Sequence, residues 1–278
     1  MILPIADRFV AGESAETAIA HTQSLNHDGI GCILNRLGEH YSNPADAETD
    51  TQNYLNLLDK VSTSNVNACI SIKPSQIGLD IDEVQFQENL TTIVERAHSN
   101  NQFVWIDMED HETTDATLRA FELFSNKYGG SVGVCVQSNL KRTRDDLRKL
   151  ADLPGKVRLV KGAYDEPSNI ALQDKSEVDE AYRSHLTFMF EQFDGGIAVG
   201  SHDPAMISHA TSLYQEYGTS FEIQMLMGVR EQAQIELAKQ YEVWQYVPYG
   251  PKWFSYFYRR LMERKENALF ALRAILNG

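Results

Sequence analysis

Cysteine is scarce in this chain and basic side chains are far outnumbered by acidic ones, and both shortages narrow its function. Its three cysteines, Cys32, Cys69 and Cys135, are far apart, each in a short apolar run. No CxxC pair or Cys/His ligand spacing forms, so metal binding is disfavoured and buried, reduced thiols are expected. No apolar run reaches the ~18 residues of a membrane-spanning helix. The opening MILPIADRFVAG lacks the basic region and long apolar core of a signal peptide, so a cytoplasmic protein is expected. Lysine and arginine number 25 against 39 acidic residues, a formal net charge of −14. An acidic surface repels nucleic acid, and no nucleic-acid partner is expected. The same excess suits a protein kept soluble in high salt. Linkers, low-complexity segments and sequence repeats are absent as well. What is present is ample apolar material, 42% of 278 residues, enough for one domain spanning 1–278 with a full core.

A short apolar run followed by a segment of helical period recurs along the chain. The runs are 29–34, 67–72, 103–107, 131–137, 157–161, 196–200, 220–226 and 241–246. The segments that follow are 46–63, 83–99, 113–127, 140–151, 175–193, 204–216, 229–239 and about 253–275. Runs rich in Val and Ile suit strands buried on both faces, and strands alternating with helices imply parallel pairing through right-handed crossovers. Eight such units at this length predict an α/β protein, a (β/α)8 barrel, with an open doubly wound sheet as the alternative. GIGCIL lacks the third glycine of a dinucleotide fingerprint, which counts against a Rossmann site.

In such a barrel the active site lies at the C-terminal ends of the strands. Polar side chains gather there: Lys73, Asp107, Glu109 and Asp110, Gln137, Arg158 and Lys161, Ser201, His202 and Asp203, Gln224, and Tyr246. Each also has an ordinary structural role open to it. Lys73 can simply reach water. Asp107 can cap the next helix, as can Glu109 or Asp110. Asp203-Pro204 reads as a helix start. Arg158 is harder to assign to structure alone. The alternation in KVRLVKGAY puts Arg158 and Val160 on one strand face, and a charge inside a barrel requires a partner or a ligand.

The stretch YFYRRLMERKE (256–266) places Tyr256, Arg259, Arg260 and Glu263 at i, i+3, i+4 and i+7, one face of a helix. That face is either a solvated one carrying an Arg259–Glu263 pair or a pair of guanidiniums set to grip a carboxylate. If the helix follows the eighth strand, its first part lies over the barrel mouth, which favours the grip.

These residues carry a resemblance. YFYRRLMERKEN resembles the Y-x-x-R-R-x-x-E helix of the proline dehydrogenase family. ADRFVAGE, NRLGEHY, IDMED, VRLVKGAYDEP, GSHDP, FEIQMLMGVR and YVPYG resemble its other blocks in the family's order, over most of the chain. The resemblance implies a distorted, TIM-like (β/α)8 barrel with a short N-terminal helical segment, holding FAD. It implies oxidation of L-proline to Δ1-pyrroline-5-carboxylate, with hydride passing to flavin N5 and electrons on to a quinone-type acceptor, at or near the inner face of the cell membrane. Pyrroline-5-carboxylate dehydrogenase is then a separate downstream enzyme.

By the same resemblance, Arg259, Arg260 and Lys73 bind the proline carboxylate, and Glu263 and Asp107 orient and balance these cations. Arg158 lies at flavin N5. Leu226, Tyr246 and Tyr256 enclose the pyrroline ring. Met108, Gln137, Val160, Lys161, Gly162, Ala163, Ser201, His202 and Gln224 line the FAD site. Gly162 suits close approach of backbone to cofactor. The chain departs from the family in three places: Ser138-Asn139 stand where Ala-Tyr is usual, Ser201 replaces Thr, and no aromatic follows Tyr164. Two other readings compete: a Schiff-base aldolase using Lys161 or Lys73, and a barrel that binds ligand without catalysis.

Overall fold

The computed structural model describes residues 6–254, together with Tyr256 and Tyr258. Eight strands close into a parallel barrel in sequence order: β1 Gly31–Arg36, β2 Ala68–Ile72, β3 Val104–Ile106, β4 Val132–Gln137, β5 Lys156–Val160, β6 Ile197–Gly200, β7 Phe221–Leu226 and β8 Glu242–Tyr249. Closure is made by β8 pairing with β1, with Tyr246 opposite Ile33 and Pro248 opposite Asn35. All eight predicted strands are present, with ends shifted by at most a few residues.

Helix α1 (Ala15–His27) precedes the barrel, and a short 3-10 turn, Ala6–Arg8, precedes α1. These form the expected N-terminal helical segment. The crossovers are α2 Pro44–Thr63, α3 Glu83–Ser99, α4 Thr114–Tyr128, α5 Thr143–Leu150, α6 Lys175–Gln192, α7 Pro204–Tyr217 and α8 Glu231–Ala238. Local chemistry sets where several of them begin. Ser14 and Thr17 form a reciprocal capping box on α1, and Asn43, Asp82 and Asp203 each accept a backbone N–H at the starts of α2, α3 and α7. Pro44 and Pro204 occupy the first helical position, where the missing N–H costs nothing. The predicted last helix, 253–275, begins at Trp253 and Phe254; most of that span lies outside the described residues.

The core has two layers. The larger lies between barrel and helices and is built from side chains such as Leu57, Ile93, Phe121 and Leu186, all fully buried, with a separate cluster around Ile207, Ile223 and Val243. The smaller fills the barrel itself: Ile33, Cys69, Trp105 and Ala198, with Phe103, Trp244 and Tyr246 against them. The large rings fit because their neighbours are small. A Cβ on Gly133 would lie 2.6 Å from the Trp105 ring, and one on Gly31 2.6 Å from the Trp244 ring. The three cysteines are free and buried, as expected, and burial raises the pKa of each thiol, that of Cys32 to about 12.

Candidate active site

The C-terminal ends of the strands open into a cavity of about 780 Å³. Its floor is an assembly around Asp107, the residue after β3. One carboxylate oxygen accepts the Ser71 hydroxyl at 2.6 Å and the Arg158 guanidinium, and the other accepts the Tyr246 hydroxyl at 2.6 Å. Arg158, only 5% exposed, also donates to Gln224 Oε1 at 3.0 Å. Its guanidinium carbon lies 4.9 Å from the Trp105 ring centre and 5.6 Å from that of Tyr246. The acidic partner expected for an inward Arg158 is thus Asp107, brought across the barrel from β3. Burial works against the Arg158 charge, but the carboxylate beside it prevails and the pKa is raised. Burial and the same carboxylate keep the Tyr246 phenol protonated.

Lys73 stands on one wall, its ammonium 3.8 Å from Glu39. Burial disfavours its charge, yet Tyr164, Glu109, Asp107 and Glu39 together raise its pKa. Lys161 is held by Asp179 of α6 and by Asp203 at 2.7 Å, and its pKa is raised as well, against the effect of burial. Each lysine is therefore held as an ammonium. A Schiff-base enzyme needs a neutral amine to attack its carbonyl substrate, so both amines proposed for the aldolase reading are unsuited to it.

The opposite side is shaped by backbone. Gly162 has φ +112°, and a Cβ there would come within 2.1 Å of Asn139 Oδ1. His202 Nε2 accepts the Leu226 N–H at 2.8 Å, which leaves the ring proton of neutral His202 on Nδ1. Gln137 donates to the Glu109 carbonyl at 2.8 Å. Met108, Val160, Ala163, Ser201 and Leu226 complete this part of the lining, and Tyr256 borders the cavity from the start of the last helix. All the predicted site residues that are described therefore meet in one cavity. Arg259, Arg260 and Glu263 lie outside the described residues.

Two structural alternatives resolve differently from their neighbours. None of the three acidic candidates caps α4: its N-cap is Thr113, without a side-chain cap, and Asp110 instead accepts the Thr113 N–H at 3.1 Å in the turn that leads into the helix. Glu109 is buried and receives both the N–H and the hydroxyl of Ser75 at 2.7 Å. The sequence reading missed Asn35, Glu39, Asp165 and Lys252, which also line the cavity. Asn35 lies at the end of β1, so the strand-end rule applied to the first unit would have found it. Ser71, beneath the cavity, is one pleat period from Lys73 and carries no such signal.

The residues present suit a large, partly polar, elongated ligand. A smaller polar recess of about 220 Å³ adjoins the cavity and shares Gly162, Tyr164 and Asp165 with it. Asn139, in the lining of that recess, has a buried Oδ1 with no hydrogen-bond partner. A dinucleotide fits such a layout, with a buried Arg158–Asp107 pair on the floor, a glycine that places no side chain in the way, and an unsatisfied amide oxygen, Asn139 Oδ1, at the recess.

Comparison with known proteins agrees with this geometry. The family model for proline dehydrogenase matches residues 18–273. Proline dehydrogenase of Deinococcus radiodurans is 37% identical over 282 residues, covering 99% of this chain and 91% of that protein. The chain belongs to the proline dehydrogenase family. Proline dehydrogenase 1 of Bacillus subtilis strain 168 is 35% identical over 276 residues, covering 98% of this chain and 90% of that protein.

Among solved structures, proline utilization A of Bdellovibrio bacteriovorus superposes with a TM-score of 0.86 at 20% identity, over 93% of this chain and 32% of that one. Proline utilization A of Bradyrhizobium japonicum gives 0.77 at 20% identity, over 92% and 30%. This enzyme therefore spans about a third of the length of those two proteins, and the likeness is one of fold.

Proposed function

We propose that the chain oxidises L-proline to Δ1-pyrroline-5-carboxylate with FAD held in the strand-end cavity, as one catalytic unit over 1–278. The observation that carries this reading is the Asp107–Arg158–Tyr246 assembly on the cavity floor, in a member of this family. When bound, FAD supplies the hydride acceptor at N5.

The protein's own residues do the rest. Arg158 offers a buried positive charge where negative charge develops during hydride transfer, and Asp107 fixes its direction. Lys73, kept as an ammonium, joins Arg259 and Arg260 in binding the substrate carboxylate. A forked guanidinium matches a carboxylate bidentately, and proline is too small to be held by apolar area alone. Glu263 orients the arginine pair. Leu226, Tyr246 and Tyr256 surround the ring and exclude water. Gln137, Met108, Val160, Lys161, Gly162, Ala163, Ser201, His202 and Gln224 hold the cofactor, with Nδ1–H of His202 serving as a donor. Electrons pass to a quinone-type acceptor at the inner face of the membrane, and the product goes to a separate pyrroline-5-carboxylate dehydrogenase. Among the described residues, no helix is long and apolar enough to cross a membrane.

The roles of Arg259 and Arg260 rest on the sequence resemblance, and they give the sharpest test. Each Arg→Met variant is expected to lose ~10²–10³-fold in kcat/KM for L-proline, the equivalent of ~3–4 kcal/mol for removing one partner of a desolvated charge pair, while FAD stays bound. Proline activity retained in both variants would overturn the grip on the carboxylate.

A further inference from the structure

Below the cavity floor lies a second charged layer that does not line the cavity. The inward residues of β5 and β7 run in step: Lys156, Arg158 and Val160 on one strand, Glu222, Gln224 and Leu226 on the other. Gln224 joins the two layers. Its Oε1 accepts from Arg158 at 3.0 Å, and its Nε2 donates to Glu222 Oε1 at 2.5 Å. The other Glu222 oxygen is held by the Lys156 ammonium, which also lies 5.5 Å from the Phe103 ring centre. Glu222 is 3% exposed and Gln224 4%. Neither Glu222 nor Lys156 lines the cavity.

An amide has a donor end and an acceptor end, and an ionised carboxylate can only accept. Burial raises the Glu222 pKa and the Lys156 ammonium opposes that shift; ion-paired to Lys156, the carboxylate dictates which way the Gln224 amide faces. With N–H₂ toward Glu222, the carbonyl must point at Arg158. Turned over, the amide would aim its N–H₂ at a guanidinium and its carbonyl at a carboxylate, two unfavourable contacts in a dry interior. Lys156 keeps Glu222 in place. The chain of contacts thus runs from Lys156 through Glu222 and Gln224 to the guanidinium that Asp107 holds from the other side.

We infer that Glu222, braced by Lys156, is a positioning residue that orients the Gln224 amide and through it aims Arg158 into the cavity. The inference rests on the catalytic role proposed for Arg158. A buried pair that served stability alone would make the same contacts but would not couple to Arg158.

The test is a double-mutant cycle in the full-chain flavin-loaded enzyme. Glu222→Gln is expected to lower kcat for L-proline ~10–100-fold, the usual range for a residue that orients a catalytic group, with KM changed less. In an Arg158→Lys background the same substitution is expected to change kcat by less than ~3-fold. A second readout needs no turnover. In 15N-arginine-labelled protein, the Arg158 Nη–H signals, assigned by their loss in Arg158→Lys, should be resolved in the wild type and collapse in Glu222→Gln.

Should Glu222→Gln fail to fold, Lys156→Met with Glu222→Leu removes both charges together, a change buried pairs tolerate, and carries the same expectations. Arg158 signals that stay resolved, or equal rate losses in both backgrounds, would overturn the inference. A wild-type enzyme inert toward L-proline would fail the functional reading instead, while the Arg158 signals would still report on Glu222.

Discussion

The two cores of this barrel are opposites. The shell between strands and helices is aliphatic and aromatic, with Leu57, Ile93, Phe121 and Leu186 fully buried. The inside of the barrel carries Asp107, Arg158, Lys156 and Glu222 beside its tryptophans. Burying charge is costly unless every partner is in place, so the interior is a poor source of stability. The shell holds the fold together, and it frees the interior to carry polar groups at fixed positions. Substitutions in the two regions should therefore fail in different ways.

The largest effect is expected in the interior. Arg158→Met removes the guanidinium and leaves Asp107 buried without its cation. Proline oxidation should fall ~10³-fold, and stability should drop by ~3–5 kcal/mol, measured by steady-state kinetics and denaturant unfolding of the same preparation. The shell counterpart is Phe121→Ala. It should lower stability by a similar ~3–5 kcal/mol while kcat/KM stays within ~2-fold, because the cavity it leaves lies outside the barrel. A large rate loss in Phe121→Ala would erase the distinction between the cores.

The smallest effect concerns His185 of α6, where the shell does contain an ionisable group. Burial, aided by the Arg144 charge, lowers its pKa from 6.5 to about 4. The folded state thus resists a proton that the unfolded chain takes up below pH 6.5. Stability from this source is present above that pH and is lost as pH falls toward about 4. His185→Leu should flatten the pH dependence of unfolding in that window by ~1–2 kcal/mol, and an unchanged slope would assign the loss to other groups.

Much of this was legible in the sequence, for local reasons. Val- and Ile-rich runs alternating with amphipathic segments reveal the strand–helix units, because pleat and helix periods are short-range properties. The strand-end rule then collects Lys73, Asp107, Gln137, Arg158, His202 and Tyr246, and these do line one cavity. What escaped is pairing across the barrel. Arg158 visibly needed a partner, yet nothing local points to Asp107, 51 residues earlier, or to Gln224, 66 later. Lys156 and Glu222 went unremarked for the same reason: each looks like an ordinary strand residue until the barrel closes. Glu109 and Asp110 were interchangeable as candidate caps in sequence, and the loop geometry makes neither a cap: Glu109 is the buried acceptor of Ser75, and Asp110 braces the turn before α4.

The central claim is that this cavity couples a flavin to proline, and a visible absorption spectrum of the purified protein, taken before and after anaerobic L-proline, tests it most directly. The account predicts oxidised flavin bands that bleach when proline is added. Bands that persist with proline, or no bands even after FAD is supplied, would contradict it.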